Sequence, residues 1–195
     1  MSQPAPIHAW PALLRGAAGP VPSGRPGRLG PGAYVDDFAV ACGVMPAATP
    51  LVPPTAIEAR LWRAVVDSRA EVESAIATDD GPLIPPAAFR TIEVWTESEL
   101  CALHALWRVV RERRRDDLRT RLETARDWHL EHTQPDNGTG RPWALHVFLL
   151  AGSEEPRLYA ETLLHNVRAA AASVEPLTAL ILHDAAREVE IATAR

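Results

Sequence analysis

The chain has 195 residues, a formal net charge of −5 and a hydrophobic content of 47%. This is enough material for one ordinary domain with a buried core. The 20 basic residues are all arginine, and the 25 acidic residues outnumber them, so the charge balance disfavours a nucleic-acid partner. No apolar stretch approaches the roughly 18 residues of a membrane span, and we expect no membrane partner.

Two cysteines, Cys42 and Cys101, are too few for a disulfide framework or a zinc site with four cysteine ligands. The first residues lack the charged start and the apolar stretch that a secretory signal peptide has. Both observations favour a reducing compartment, and we expect a cytoplasmic protein.

Residues 1–54 differ from the rest of the chain in composition. They hold 11 of the 18 prolines and 7 of the 11 glycines, which disfavours regular backbone hydrogen bonding. We therefore predict a disordered or loosely docked arm over 1–54. Within it, residues 34–45 are apolar enough to dock on the rest of the protein as an extended segment.

From Thr55 onward, apolar residues recur with the period of amphipathic helices. Thr55 with Glu58, and Thr96 with Glu99, match the capping-box pattern at two helix starts. The predicted helices cover about 57–78, 97–114, 116–133, 142–150, 153–172 and 176–194. A proline-rich connection over 82–95 separates the first two, with a short turn at Pro86.

This pattern predicts an all-α fold, in the form of an antiparallel helical array or bundle of about six helices over residues 55–195. A Pro/Gly-rich, mostly irregular N-terminal arm precedes it. A histidine recurs in similar apolar surroundings on successive predicted helices, which is typical of stacked helical hairpins that face a common interior. Arginines over 108–126 alternate with acids, which favours a solvated helix end with local ion pairs over a nucleic-acid surface.

The richest polar stretch is residues 128–146, which we call the 128–146 corner because it joins two predicted helices. His129 and His132 are three residues apart on one helix, so their Cβ atoms are expected about 5–6 Å apart. With Asp136 they make a His/His/carboxylate set of the kind that holds zinc or iron. Three interpretations stay open: a metal site, metal-free catalytic or ligand-binding histidines, or histidines hydrogen-bonded within the fold.

The turn that follows offers a second group of polar side chains. Asp136, Asn137 and Arg141 could point into one cavity, where Arg141 would hold a carboxylate or phosphate with two hydrogen bonds. The alternative is that the first two are ordinary turn residues and that Arg141 pairs with a nearby acid. Trp128 and Trp143 flank the turn, and either line a pocket or hold the two helices together.

The helix 102–107, the segment 128–130, the loop 134–138 and the helix led by Trp143 resemble repeats of α/α-toroid proteins, such as six-hairpin glycosidases and terpene-cyclase-like proteins. In such proteins, loops at one end of the toroid line the active cleft and their aspartates act as acids or bases, which implies that role for Asp136. A complete toroid has more helices than this chain provides, so an open array is expected. The chain also resembles bacterial proteins without a familiar catalytic motif.

Together these features predict a small-molecule-binding or hydrolase- or lyase-like pocket at the 128–146 corner. Its catalytic or metal-binding residues would be His129, His132 and Asp136, with zinc or iron as the candidate cofactor. The predicted ligand-binding residues are Arg141, Asn137, Trp128, Trp143 and His146. The alternative is a non-enzymatic scaffold or protein-interaction module, in which the corner is structural and the arm recruits a protein partner.

Overall fold

The structure, a computed structural model, describes residues 5–22, 34–47, 54–72, 76, 80–133, 140–170 and 173–194. Within these ranges all regular secondary structure is helical, which confirms the predicted fold class. The helices are α1 Trp10–Ala18, α2 Val35–Ala41, α3 Ile57–Val66, α4 Ile92–Glu112, α5 Arg119–His132, α6 Leu145–Leu149, α7 Glu154–Ala170 and α8 Pro176–Thr193. Among the described helices, none combines the length and apolar character needed to cross a membrane.

Helices α4 and α8 form the centre of the array. α4 packs against α3, α5 and α6, and α8 packs against α1 and α6. Both carry long buried faces, with Leu100 and Leu106 of α4 and Leu177 and Val189 of α8 fully excluded from solvent. These two helices also carry the charged side chains that lie deepest in the protein, so the site described below is built on them.

The first two helices lie inside the arm that the sequence predicts to be disordered or loosely docked. Helix α1 packs along α8, where Trp10 and Leu14 are buried, and Arg15 forms an ion pair with Glu190. Helix α2 packs on α3 and buries Phe38 completely. The segment around residue 38 therefore docks as a helix and not as the extended segment expected. The described parts of the arm belong to the core.

Helix α3 is shorter than the sequence predicts, because it ends at Val66 and not near residue 78. Its N-cap is Ala56 and makes no side-chain hydrogen bond, so the predicted capping box at Thr55 does not form. The guanidinium of Arg113 donates to three carbonyls at the other end of α3 and just beyond it, those of residues 64, 67 and 70. These bonds satisfy carbonyl groups that a longer helix would otherwise satisfy.

Helix α4 begins five residues before its predicted start. The N-cap is Thr91, whose hydroxyl accepts a hydrogen bond from the backbone N–H of Val94. Thr96, the predicted cap, lies inside the helix and donates to the carbonyl of Ile92. The short 3₁₀ turn predicted at Pro86 is present over Pro86–Ala88.

Candidate functional site

The 128–146 corner contributes to two separate clusters. His129, at the C-terminal end of α5, packs against the first half of α4, where its ring stacks on Trp95. Trp143 and His146, at the other end of the corner, pack against His104 in the middle of α4. The two clusters differ in their charged groups, because the second contains a buried arginine paired with a buried aspartate.

His104 and His146 form what we call the histidine pair. Both side chains are fully buried, and their ring centroids lie 4.3 Å apart in an edge-to-face arrangement. Helix α6 has only five residues, Leu145–Leu149, so the position of His146 depends on how the preceding turn enters it. Ala144 in that turn has φ = 56°, a left-handed conformation that a non-glycine residue rarely adopts.

The hydrogen bonds of His104 determine where its proton lies. The backbone N–H of Ala144 donates to His104 Nδ1 at 3.3 Å, so Nδ1 carries no proton. His104 Nε2 lies 3.0 Å from Asp184 Oδ2 and therefore donates its proton to that carboxylate. Both ring nitrogens of His104 are hydrogen-bonded, and the strained Ala144 backbone supplies one of these bonds.

Asp184 joins His104 to a buried arginine. Its other oxygen, Oδ1, accepts from Arg108 Nη1 at 2.5 Å, and both side chains are about 1% exposed. Burial alone would raise the pKa of Asp184. However, the hydrogen bond from His104 and the charge of Arg108 hold the pKa of this carboxyl well below its usual range. Asp184 is therefore ionised, and we call Asp184, Arg108 and Glu188 the buried ion network.

Glu188 extends this network toward the surface. Its Oε2 accepts from Trp107 Nε1 at 3.0 Å, and its Oε1 accepts from Arg111 Nη2 at 2.8 Å. Glu188 is fully buried, whereas Trp107 and Arg111 are half-buried. Trp107 therefore stands between the buried ion network and the solvent.

His146 differs from His104 because its ring is not satisfied. Neither ring nitrogen has a hydrogen-bond partner among the described residues, although the side chain is fully buried. Burial lowers the pKa of His146 well below its ordinary value. His146 is thus a neutral imidazole with one N–H donor and one acceptor nitrogen. Neither has a partner among the described residues. Native proteins rarely leave such groups unpaired, and each one calls for an explanation.

A surface groove of about 490 Å³ lies next to the histidine pair. Trp107 lines this groove and also contacts His146, with ring centroids 5.4 Å apart. Val110 and Ile191 complete the apolar floor of the groove. The Trp107 side chain therefore contacts both the groove and the unsatisfied ring of His146.

The other cluster centres on His129 and Glu99, both fully buried. The Glu99 carboxylate accepts backbone hydrogen bonds from residues 83 and 84, each at 2.6 Å. His129 Nδ1 lies 3.1 Å from the hydroxyl of Thr133, which in turn lies 2.9 Å from the hydroxyl of Tyr159. His129 Nε2 lies 3.5 Å from Glu99, beyond normal hydrogen-bond length. This line of polar groups ties α4, α5 and α7 together.

The predicted metal ligands do not converge within the described residues. His132 is half exposed, stacks on Trp128 and hydrogen-bonds the Trp128 carbonyl, whereas His129 is buried. Where the structure is described, no three histidine, cysteine or carboxylate side chains form a group that could hold a metal ion. The third predicted ligand, Asp136, lies outside the described residues, as does Asn137, so the metal site stays a prediction.

Arg141 and the two corner tryptophans are held by the protein itself. Arg141 pairs with Glu97 and with Glu175, so the anion-clamp role predicted for Arg141 would require an anion to compete with two carboxylates. Trp143 is fully buried against the rings of Phe38, Trp62 and His104, and half-buried Trp128 packs on Trp95. The tryptophans pack in separate clusters.

Sequence reasoning missed Asp184 and Arg108 as site residues. A signal for the first was present: Asp184 and Glu188 are four residues apart, so they share one face of α8 with the apolar Leu177 and Ile181. Two acids on an otherwise apolar face predict a buried basic partner. The sequence does not identify that partner, because arginines are frequent throughout α4 and α5.

Comparison with known proteins found no matching family model, no similar curated protein and no similar solved structure. The resemblance to α/α-toroid repeats therefore stays a prediction.

Proposed function

We propose that the protein binds a small molecule at the histidine pair, with His146 as the residue that contacts the ligand. The observation that carries this proposal is the fully buried His146 ring with no partner for either nitrogen among the described residues. Leaving a buried polar group unpaired costs about 1–3 kcal/mol. A ligand that offers both an acceptor and a donor would recover this cost.

The groove beside Trp107 would give the ligand a route from the solvent to His146. A movement of the Trp107 side chain would connect the groove to His146, since this side chain lines one and contacts the other. His146 has a pKa well below its ordinary value, so its ring stays neutral at physiological pH and offers an unprotonated nitrogen to the ligand. If the ligand is also a substrate, His146 is the acid–base group for hydrolase- or lyase-like chemistry. His104, held in place by its two hydrogen bonds, orients the site.

The alternative is a scaffold in which the corner is structural. The observation that favours it is the internal pairing of Arg141 with Glu97 and Glu175, because this arginine binds neighbouring helices and not an open cavity. On this alternative His146 would also contribute to stability, and replacing it would weaken the fold. The two functions therefore predict opposite effects of the same substitution.

The test compares His146→Leu with His104→Leu, since both rings are fully buried and belong to the same pair. His104→Leu leaves the Ala144 N–H and an Asp184 oxygen without a partner, and should cost about 1–3 kcal/mol for each group. His146→Leu removes no hydrogen bond within the described residues, and we expect a thermal midpoint no lower than that of the wild type. Binding residues are commonly retained at the expense of stability.

Ligand contact is measured by NMR on protein labelled at its histidine rings, with phenol and acetamide as small polar probes. We expect the probes to shift the His146 signals, which are identified by their absence in His146→Leu. A loss of stability in His146→Leu comparable to that in His104→Leu would favour the scaffold. Unchanged His146 signals with both probes would overturn the binding proposal.

A further inference from the structure

The groove beside Trp107 has an apolar floor and a cationic rim. Its floor is formed by Trp107, Val110 and Ile191, and its rim carries three arginines and one acid: Arg111, Arg114, Arg119 and Asp116. A volume of about 490 Å³ is within the range of small-molecule sites, which are mostly apolar with a few convergent polar groups. The excess of positive charge on the rim selects for an anionic group.

The three arginines differ in how strongly they already pair with carboxylates of the protein. Arg111 is paired with Glu188 and Glu112. Arg119 pairs with Asp116, but both side chains are more than half exposed, where such pairs contribute little. Arg114 is exposed and has no ion pair or hydrogen bond with any described residue. Its charge is therefore available to a ligand.

The backbone at Arg114 explains why this residue lies beside the groove. Arg114 follows the C-terminal end of α4 with φ = 53°, a left-handed conformation. The conformation belongs to an ordinary helix end, since the backbone N–H of Arg115 donates to the Val110 carbonyl at 3.0 Å and closes α4. This end of the helix places Arg114 among the residues that line the groove.

We propose that this groove binds a small organic anion, a carboxylate or a phosphate monoester, with Arg114 as the main cationic contact and an apolar or aromatic group against Trp107. An arginine can donate two parallel hydrogen bonds to two oxygens of either anion. The partly exposed indole ring of Trp107 supplies the apolar contact. This inference rests on the proposed function in one respect, because it names the class of ligand that would reach His146.

The test is isothermal titration of the full chain, at constant ionic strength, with phenyl phosphate and with benzoate. Inorganic phosphate and benzylamine serve as comparison ligands, since the first lacks the apolar part and the second has the opposite charge. We expect both aromatic anions to bind saturably, inorganic phosphate to bind more weakly, and benzylamine not to bind. The aromatic anion with the lower Kd identifies the preferred head group.

The variant is Arg114→Gln, and its matched control is Arg168→Gln. Arg168 is also exposed and without a described partner, but it lies on α7 and does not line the groove. Loss of a hydrogen-bonded charged contact typically weakens binding by about ten- to a hundredfold, so we expect that increase in Kd for Arg114→Gln. Arg168→Gln should leave the Kd within about twofold.

The outcomes separate this inference from the proposed function. Equal weakening in both arginine variants, equal binding of benzylamine, or no saturable binding of either aromatic anion would overturn the anion site. Loss of binding in Arg114→Gln with full binding in His146→Leu would uphold the anion site and overturn the role proposed for His146. Loss in His146→Leu alone would overturn the role of Arg114 and support that of His146.

Discussion

The substitution Asp184→Asn tests the buried ion network with the smallest change of shape. Both carboxylate oxygens accept hydrogen bonds, Oδ1 from Arg108 and Oδ2 from His104. An amide offers only one acceptor, so one of these donors would then face an N–H group. His104 cannot relieve the conflict by moving its proton to Nδ1, because the Ala144 N–H already donates to that nitrogen. No arrangement of the amide therefore satisfies all three groups.

The expected loss in the free energy of unfolding depends on which hydrogen-bond partners Arg108 keeps in the variant. Removing one partner of a buried ion pair typically costs about 3–5 kcal/mol. Arg108 keeps a hydrogen bond of 2.7 Å to Glu112, whose side chain is partly exposed, so we expect the lower end, about 3 kcal/mol. This is a large part of the roughly 5–15 kcal/mol that stabilises an ordinary domain.

Urea denaturation followed by circular dichroism measures this cost, and Asp127→Asn is the control. Asp127 forms an exposed pair with Arg126, and pairs of this kind contribute about 0–1 kcal/mol. We expect the urea midpoint to fall clearly for Asp184→Asn and hardly at all for Asp127→Asn, with the same slope for both. Equal midpoints would refute the conclusion that Asp184 compensates a buried charge.

Three further predictions concern other parts of the fold. The folded-state pKa of His146 lies below the unfolded value, so stability is full above about pH 6.5 and falls below it by about 1.4 kcal/mol per pH unit. His146→Leu should therefore make the urea midpoint less dependent on pH between about pH 6.5 and pH 5. An unchanged pH dependence in this variant would contradict the lowered pKa of His146. Leu14→Ala should cost about 2–5 kcal/mol and Leu13→Ala, at 37% exposure, less than about 1 kcal/mol; similar losses would mean that α1 does not pack as described. Arg113→Gln should cost about 1–3 kcal/mol and speed hydrogen exchange at the end of α3, and unchanged exchange would rule out this capping.

The helices from α3 onward were predictable because their apolar faces repeat at the helical period. The ends of these helices were less predictable, because any threonine three residues before an acid matches the capping-box pattern. At α4 the hydroxyl that meets a free N–H is that of Thr91, and the predicted cap, Thr96, bonds backward within the helix. Sequence spacing does not distinguish these two roles, because both are local side-chain bonds to the backbone.

The N-terminal arm shows why average composition misleads over a short segment. Prolines and glycines are concentrated in residues 1–54, yet Pro11 lies in the first turn of α1, where a missing N–H costs nothing. The nine residues of α1 place Trp10, Leu14 and Ala18 on one face, and this face is buried against α8. A helix this short is unstable alone, so it forms through its packing on a helix far along the chain.

The candidate site could be predicted only in part, for the same reason. Trp143, His129 and His146 were identified from one local stretch, and all three are buried. Their chemical roles depend on partners far away in sequence, since Asp184 is 80 residues from His104. The sequence therefore indicated which histidines belong to the interior but not which one is satisfied there.

The buried ion network itself argues for a role beyond stability. Replacing a buried ion pair with apolar residues is often neutral or stabilising. Arg108 and Asp184 therefore stabilise the core no better than apolar residues of similar size would. In this protein they fix the proton of His104 and position it beside His146. Of the two histidines, His104 is the one with a hydrogen bond to this network among the described residues. Under the proposed function, the charges would hold His104 in place next to His146, which has no hydrogen-bond partner among the described residues. A binding site requires such an arrangement, whereas a scaffold does not.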